Sequence, residues 1–194
     1  MRRIVTSIFV VLFAAAAFAQ NVTVIRAGSL IDGRASSPKR DQMIVIRGNR
    51  INGGASMGIV AENASGATID DNELEGLTAY GVMVRNSSNI LVRSNRLHNC
   101  GYGLAFVLGD KAKVSTAVDN TIIEAKFNGI DVIGDSPILR RNQVLRAHAF
   151  ALHVEDFQPS SGQKVQAQPF LDNNNFGNSP ISTKGNVTVA SQKP

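Results

Sequence analysis

The chain has no tryptophan, two tyrosines, three histidines and one cysteine among its 194 residues. Each scarcity excludes something. A single cysteine, Cys100, rules out an internal disulfide, so stability outside a cell must come from packing alone. So few aromatic rings make a poor endowment for a broad sugar-stacking platform. Helix-period apolar stripes are missing, and after the first twenty residues no run approaches the roughly 20 apolar residues that span a bilayer. Net charge is modest, with 20 basic against 15 acidic residues and no basic stripe interleaved with aromatics, which argues against a nucleic-acid partner.

The chain opens "MRRIVTSIFVVLFAAAAFAQ". Arg2 and Arg3 form a basic head, Ile8 to Ala17 an apolar core, and Ala17-Phe18-Ala19 a small-x-small site, the layout of a secretory signal peptide. Cleavage before Gln20 is expected, which makes residues 1–19 a leader and the mature protein exported, in the periplasm or outside the cell. Losing Arg2 and Arg3 takes the formal charge from +5 to +3. The remainder, about 175 residues, suits one domain with a sizeable core.

What fills that length is a repeat. "GIVAEN" at Gly58, "GVMVRN" at Gly81, "GLAFVL" at Gly103 and "GIDVIG" at Gly129 each begin with glycine and a short apolar alternation, and "ALHVED" at Ala151 follows suit. Each is followed by an apolar-x-x-Asn-x-apolar phrase, centred on Asn72, Asn95, Asn120, Asn142 and Asn174. "IRGNRI" places Asn49 in the same phrase, 23 residues before Asn72, which is itself 23 before Asn95. Units of this size holding four- to six-residue strands cannot bury an apolar face alone, but stacked in register they share a core. Gly, Asn, Asp and Ser between the strands suit corners, and an Asn at one corner of every coil can pass amide hydrogen bonds to the next. The pattern predicts an all-β fold, a right-handed parallel β-helix of about six coils over residues 54–180. Residues 20–53 form a cap or first coils, and 181–194 a polar tail.

Residues 42–180, with these phased glycine and asparagine signals, resemble the parallel β-helix repeat superfamily. Its members include pectate lyases, polygalacturonases, alginate epimerases and the periplasmic accessory proteins of nitrous-oxide reductase. The resemblance implies the fold and leaves the activity open. Residues 22–53, "VTVIRAGSLIDGRASSPKRDQMIVIRGNRING", also resemble the N-terminal strands of the amidohydrolase family. The His-x-His pair and further ligands that family needs are absent, and so is the length of its barrel.

Aligning the glycine-led strands sorts residues by face. Ile59, Ala61, Val82, Val84, Leu104, Phe106, Ile130, Val132, Leu152 and Val154 fall inward. One outward column runs Val60, Met83, Ala105, Asp131, His153, and the next runs Glu62, Arg85, Val107, Ile133, Glu155. Coils stack roughly 4.8 Å apart, so Asp131 and His153 become neighbours, with Glu155 two residues along the strand on the same face. Asp131, His153 and Glu155 are candidate catalytic residues, because a carboxylate beside an imidazole fixes its tautomer for acid–base work. Arg85 is a candidate for holding a uronate carboxylate through a forked pair of hydrogen bonds. The plain alternative is a solvated strand face whose charges discourage aggregation.

Motifs specific to the superfamily's enzymes do not appear. Asp70-Asp71 sits before a corner, where turn chemistry explains it, and the histidines, methionines and Cys100 are too scattered for a metal site. No metal or cofactor is implied, and no oligomeric state. "LGDKAKVSTAV" and "EDFQPSSGQKVQAQPF" lengthen two coils on the flank of the outer face, where loops on a rigid scaffold commonly carry function. The expected function is binding of a polysaccharide or cell-envelope glycan. A carbohydrate-active enzyme (lyase, epimerase or hydrolase) and a structural or adhesive repeat protein are the alternatives.

Overall fold

The computed structural model describes residues 44–110, 112–184 and 190–192. The expected leader and its cleavage site, residues 22–43 of the amidohydrolase-like stretch, and residues 185–189, 193 and 194 of the tail lie outside the described residues.

Three parallel sheets make the walls of a solenoid. The first holds β1 (Val45–Arg47), β4 (Thr68–Asp70), β7 (Leu91–Arg93), β10 (Thr116–Val118), β13 (Ile138–Arg140), β16 (Phe170–Asp172) and β18 (Ala190–Gln192). The second holds β2 (Arg50–Asn52), β5 (Glu73–Glu75), β8 (Arg96–His98), β11 (Thr121–Ile123) and β14 (Gln143–Leu145). The third holds β3 (Ile59–Glu62), β6 (Tyr80–Arg85), β9 (Tyr102–Val107), β12 (Ile130–Ile133), β15 (Leu152–Glu155) and β17 (Ile181–Lys184). Every third strand pairs with its predecessor, so the described residues make five complete coils, a sixth that lacks a second-sheet strand, and in β18 the first strand of a seventh. The described part of the tail belongs to the solenoid, since β17 continues the third sheet and β18 the first. Residues 45–52 likewise form the first coil, so this part of the amidohydrolase-like stretch is built as β-helix.

The alternation expected along the third sheet is seen directly. Ile59, Ala61, Val82, Val84, Leu104, Phe106, Ile130, Val132, Leu152 and Val154 are all buried, joined by Ile69, Leu74, Val92, Leu97, Ile122, Leu139 and Val144 from the other sheets. From β4 onward the three-residue strands of the first two sheets bury their central side chain toward the solenoid axis, and β4 buries Asp70 as well.

At the corner between the first and second sheets the asparagines form a continuous ladder. Each side-chain oxygen accepts from both the backbone N–H and the side-chain amide of the preceding asparagine, at 2.8–3.1 Å, from Asn49 through Asn72, Asn95, Asn120 and Asn142 to Asn174. Each amide from Asn72 onward also donates to a first-sheet carbonyl, as Asn120 does to Val92. The residue before each asparagine has positive φ, including Asp71 at 55° and Ser94 at 54°, and this single left-handed residue turns the chain from one sheet to the next. Asp71 is thus turn chemistry, while the buried Asp70 accepts from Arg93 at 2.9 Å.

On the outside of the second sheet, His98 bridges three coils. Its Nδ1 lies 3.1 Å from Glu75 and its Nε2 3.1 Å from Glu124, which Arg146 also holds. The two carboxylate contacts raise its pKa, Glu124 contributing most. A raised histidine pKa stabilises the fold below the unfolded value and loses that contribution as pH climbs through the folded value. The melting temperature is therefore expected to fall from about pH 6.5 upward, and His98→Gln should flatten that slope. An equal slope in both proteins by thermal denaturation would refute the bridge. The cluster is partly exposed, so the effect is modest.

Candidate functional site

Asp131 and His153 are register partners on β12 and β15, and both point outward from the third sheet. The outward column on which they stand is nevertheless buried: Met83 is 9% exposed, Ala105 1%, Asp131 3% and His153 8%. A solvated strand face therefore does not describe its centre.

What covers the column is a row of rings at the strand starts. Tyr80 and Tyr102 immediately precede Gly81 and Gly103, are themselves register partners, and stack with centroids 4.8 Å apart. Phe127 stacks on Tyr102 at 5.0 Å and remains half exposed, and Phe150 lies over the His153 imidazole at 6.1 Å. The scarcity of aromatics had argued against such a surface. In-register coils assemble one from four residues, because a strand repeat near 4.8 Å is also a stacking distance. The signal was in the sequence, as an aromatic next to or one residue removed from the start of four successive strands.

At the other end of these strands the two insertions gather on one flank. A side chain at Gly134 would run into both Phe157 and Leu108, which places the loops after β9 and β15 against the same point. The longer one is pinned by a Phe157–Val165 backbone pair, by an Asp156 carboxylate accepting from Ala167 N–H at 2.9 Å, and by Lys164 on Asp156 at 2.9 Å. The outer face is thus a strip bounded by rings on one side and loops on the other.

Within the strip, Asp131 Oδ1 accepts from the Asn128 amide at 2.7 Å and lies 3.2 Å from His153 Nδ1. Asn128 stands at the position that carries Tyr80, Tyr102 and Phe150 in other coils, so the coil with the buried carboxylate replaces its ring with a donor. An oxygen taking the Asn128 amide is an acceptor, which assigns the proton of this contact to His153 Nδ1 and turns Nε2 toward Glu155, 3.5 Å away. Burial pushes the Asp131 carboxyl above the usual range, the donors Asn128 and His153 oppose that rise, and the Glu155 charge adds to it.

The predicted trio of Asp131, His153 and Glu155 is therefore brought together. Arg85 is not part of it. It lies on the Glu155 column but on β6, paired with Glu62 at 3.7 Å, with Val107 and Ile133 between. His148 is exposed and remote, and His98 belongs to the second-sheet bridge. Among the described residues no group of three or more His, Cys, Asp or Glu side chains is placed to hold a metal ion, and no helix is long and apolar enough to cross a membrane.

Two solved structures share this architecture. The crystal structure of the periplasmic alginate epimerase AlgG superposes with a TM-score of 0.56 at 15% identity, over 77% of this chain and 39% of that one. A single-substitution mutant of the same epimerase gives 0.52 at 15% identity, over 79% and 43%. The chain thus spans less than half the length of either, and at such identity the likeness is one of fold. No curated protein matches the sequence. Residues 14–144, more than half of the chain, match the family described as the right-handed β-helix region. Three parallel sheets, coils of 22 to 26 residues and that match together place the chain in the right-handed β-helix family.

Proposed function

We propose that this is an exported β-helix protein that binds a polysaccharide or cell-envelope glycan along the outer face of its third sheet. The observation that carries the reading is a hydrogen-bonded Asp131–His153 pair buried on an outward strand face, beside a row of aromatic rings. A structural repeat has no need of a desolvated carboxylate there, and a burial-raised Asp131 weakens the fold. Folded Asp131 holds its proton to higher pH than the unfolded chain does. Its unfavourable contribution therefore sets in as pH rises past the unfolded value and is complete above the folded one. Groups that cost stability in this way concentrate at functional sites. Supporting the glycan class are the secretory leader and the likeness in fold to a periplasmic enzyme whose name places alginate as its substrate.

A second reading is acid–base catalysis on the bound sugar. It is favoured by the Asn128–Asp131–His153 relay, which fixes one imidazole nitrogen and leaves Nε2, facing Glu155, as the proton carrier.

The test is a chemical-shift titration with short oligosaccharides. Asp131→Asn is expected to keep or raise the urea midpoint at neutral pH while weakening binding, and Phe127→Ala, at an exposed ring, to weaken it on the order of tenfold. An Asp131→Asn protein destabilised by more than about 1 kcal/mol, with binding intact, would assign the pair to the fold instead.

A further inference from the structure

We propose that the sugar unit seated at Asp131 and His153 carries a basic amino group rather than a carboxylate. This rests on the glycan-binding reading of the face and adds the charge of the ligand.

The argument starts from which charges reach that point. Side-chain exposure is 4% for Asp131, 11% for His153 and 40% for Glu155, so Glu155 is the charged group that a ligand meets first. Arg85 stands on the Glu155 column, three strands from Glu155 and two from Asp131, about 14 and 10 Å at the usual strand spacing. Its guanidinium is turned to Glu62 on the far side, and Val107 and Ile133 separate it from Glu155. Lys164 is held by Asp156 at 2.9 Å. Lys184, one strand beyond Glu155, keeps a long 3.8 Å contact with its Oε2.

Two carboxylates thus face the site against one ammonium, that of Lys184, which sits on the far strand from the pair and makes only the long contact with Glu155. A uronate placed there would confront Glu155 directly and Asp131 behind it, with no forked donor to receive it. An ammonium would meet the Glu155 carboxylate in a half-buried setting, where the attraction exceeds that in bulk water. Phe127, half exposed beside Tyr102, adds ring surface that attracts cations. The field extends along the face. Glu155 contributes to the raised Asp131 carboxyl, and the Tyr80 hydroxyl is raised by burial and then by the Asp131 charge.

Three disaccharides separate the possibilities: of glucosamine, of N-acetylglucosamine and of a hexuronate, each titrated at low salt against the wild type and Glu155→Gln with shifts mapped by residue. The glucosamine disaccharide is expected to bind at least about tenfold tighter than the other two. Glu155→Gln and added salt should both weaken it. Equal or tighter binding of the uronate or the N-acetylated sugar, with shifts on Tyr102, Asp131 and His153, would overturn the charge inference and leave the face a glycan site. Shifts confined to another face, or none with any of the three, would overturn both.

Discussion

Asn95→Ala is expected to cost about 2–6 kcal/mol, the sum of two orphaned donors at about 1–3 kcal/mol each. Asn95 is 1% exposed, and its side-chain oxygen is the acceptor for both the backbone N–H and the side-chain amide of Asn72. Alanine removes that acceptor at a point water does not reach. It also withdraws the donor to the Ile69 carbonyl, while the Asn120 oxygen keeps one partner in the Asn95 N–H. The loss falls at the middle of the stack, so two interfaces between coils weaken together, and in a repeat protein those interfaces are the stability. Asn49 is exposed and, among the described residues, the first of the ladder, donating to Asn72 without accepting from an earlier asparagine, so Asn49→Ala should cost far less. Urea unfolding of the two variants measures the contrast. An Asn95→Ala change within about 0.5 kcal/mol would make the ladder an ordinary turn.

The ladder and the inward columns were legible because a parallel in-register stack converts equal offsets in the sequence into neighbours in space. Asn72 to Asn95 and Asp131 to His153 are both one coil apart, and both pairs are bonded. Arg85 shows where that logic stops. Its column was known, but its partner is fixed by the adjacent coil, where Glu62 stands, and not by the shared face with Glu155. The burial of the outer column was hidden for a different reason. Met83 and Ala105 are covered by rings and loops outside the repeat signals, and neither Phe127 nor Phe157 occupies the repeat position that the glycines mark. Asn128, which holds Asp131, is not legible as a site residue, because a lone Asn before Gly129 has the look of a corner.

Gly103→Ala is expected to destabilise by about 3 kcal/mol, the upper end for inserting a methyl into a filled core. The sequence suggests that the repeat's glycines serve as corners needing unusual dihedrals. Gly103 has no positive φ, and what it lacks is room. An added Cβ would strike the Gly129 carbonyl oxygen of the next coil and lie 2.6 Å from Ile122 Cγ2. Side-chain ends can turn aside, but a carbonyl in the sheet cannot without breaking the pairing of β9 and β12. Gly81→Ala should be milder, because its closest contact is the tip of Leu97 and the Gly103 oxygen stands 2.9 Å away. Ala151→Gly should change stability by no more than about 1 kcal/mol. Gly58, Gly81, Gly103 and Gly129 each face an inward side chain from the second-sheet strand of the following coil, namely Leu74, Leu97, Ile122 and Val144. In the coil after Ala151 the second sheet continues only as the Gln143–Asn175 bridge, and Phe176 stands where those four side chains stand, partly buried against the core. Denaturation midpoints that rank Gly103→Ala below Gly81→Ala, with Ala151→Gly near the wild type, would follow from this packing. A Gly103→Ala protein as stable as the wild type would mean that the glycines serve the turns after all.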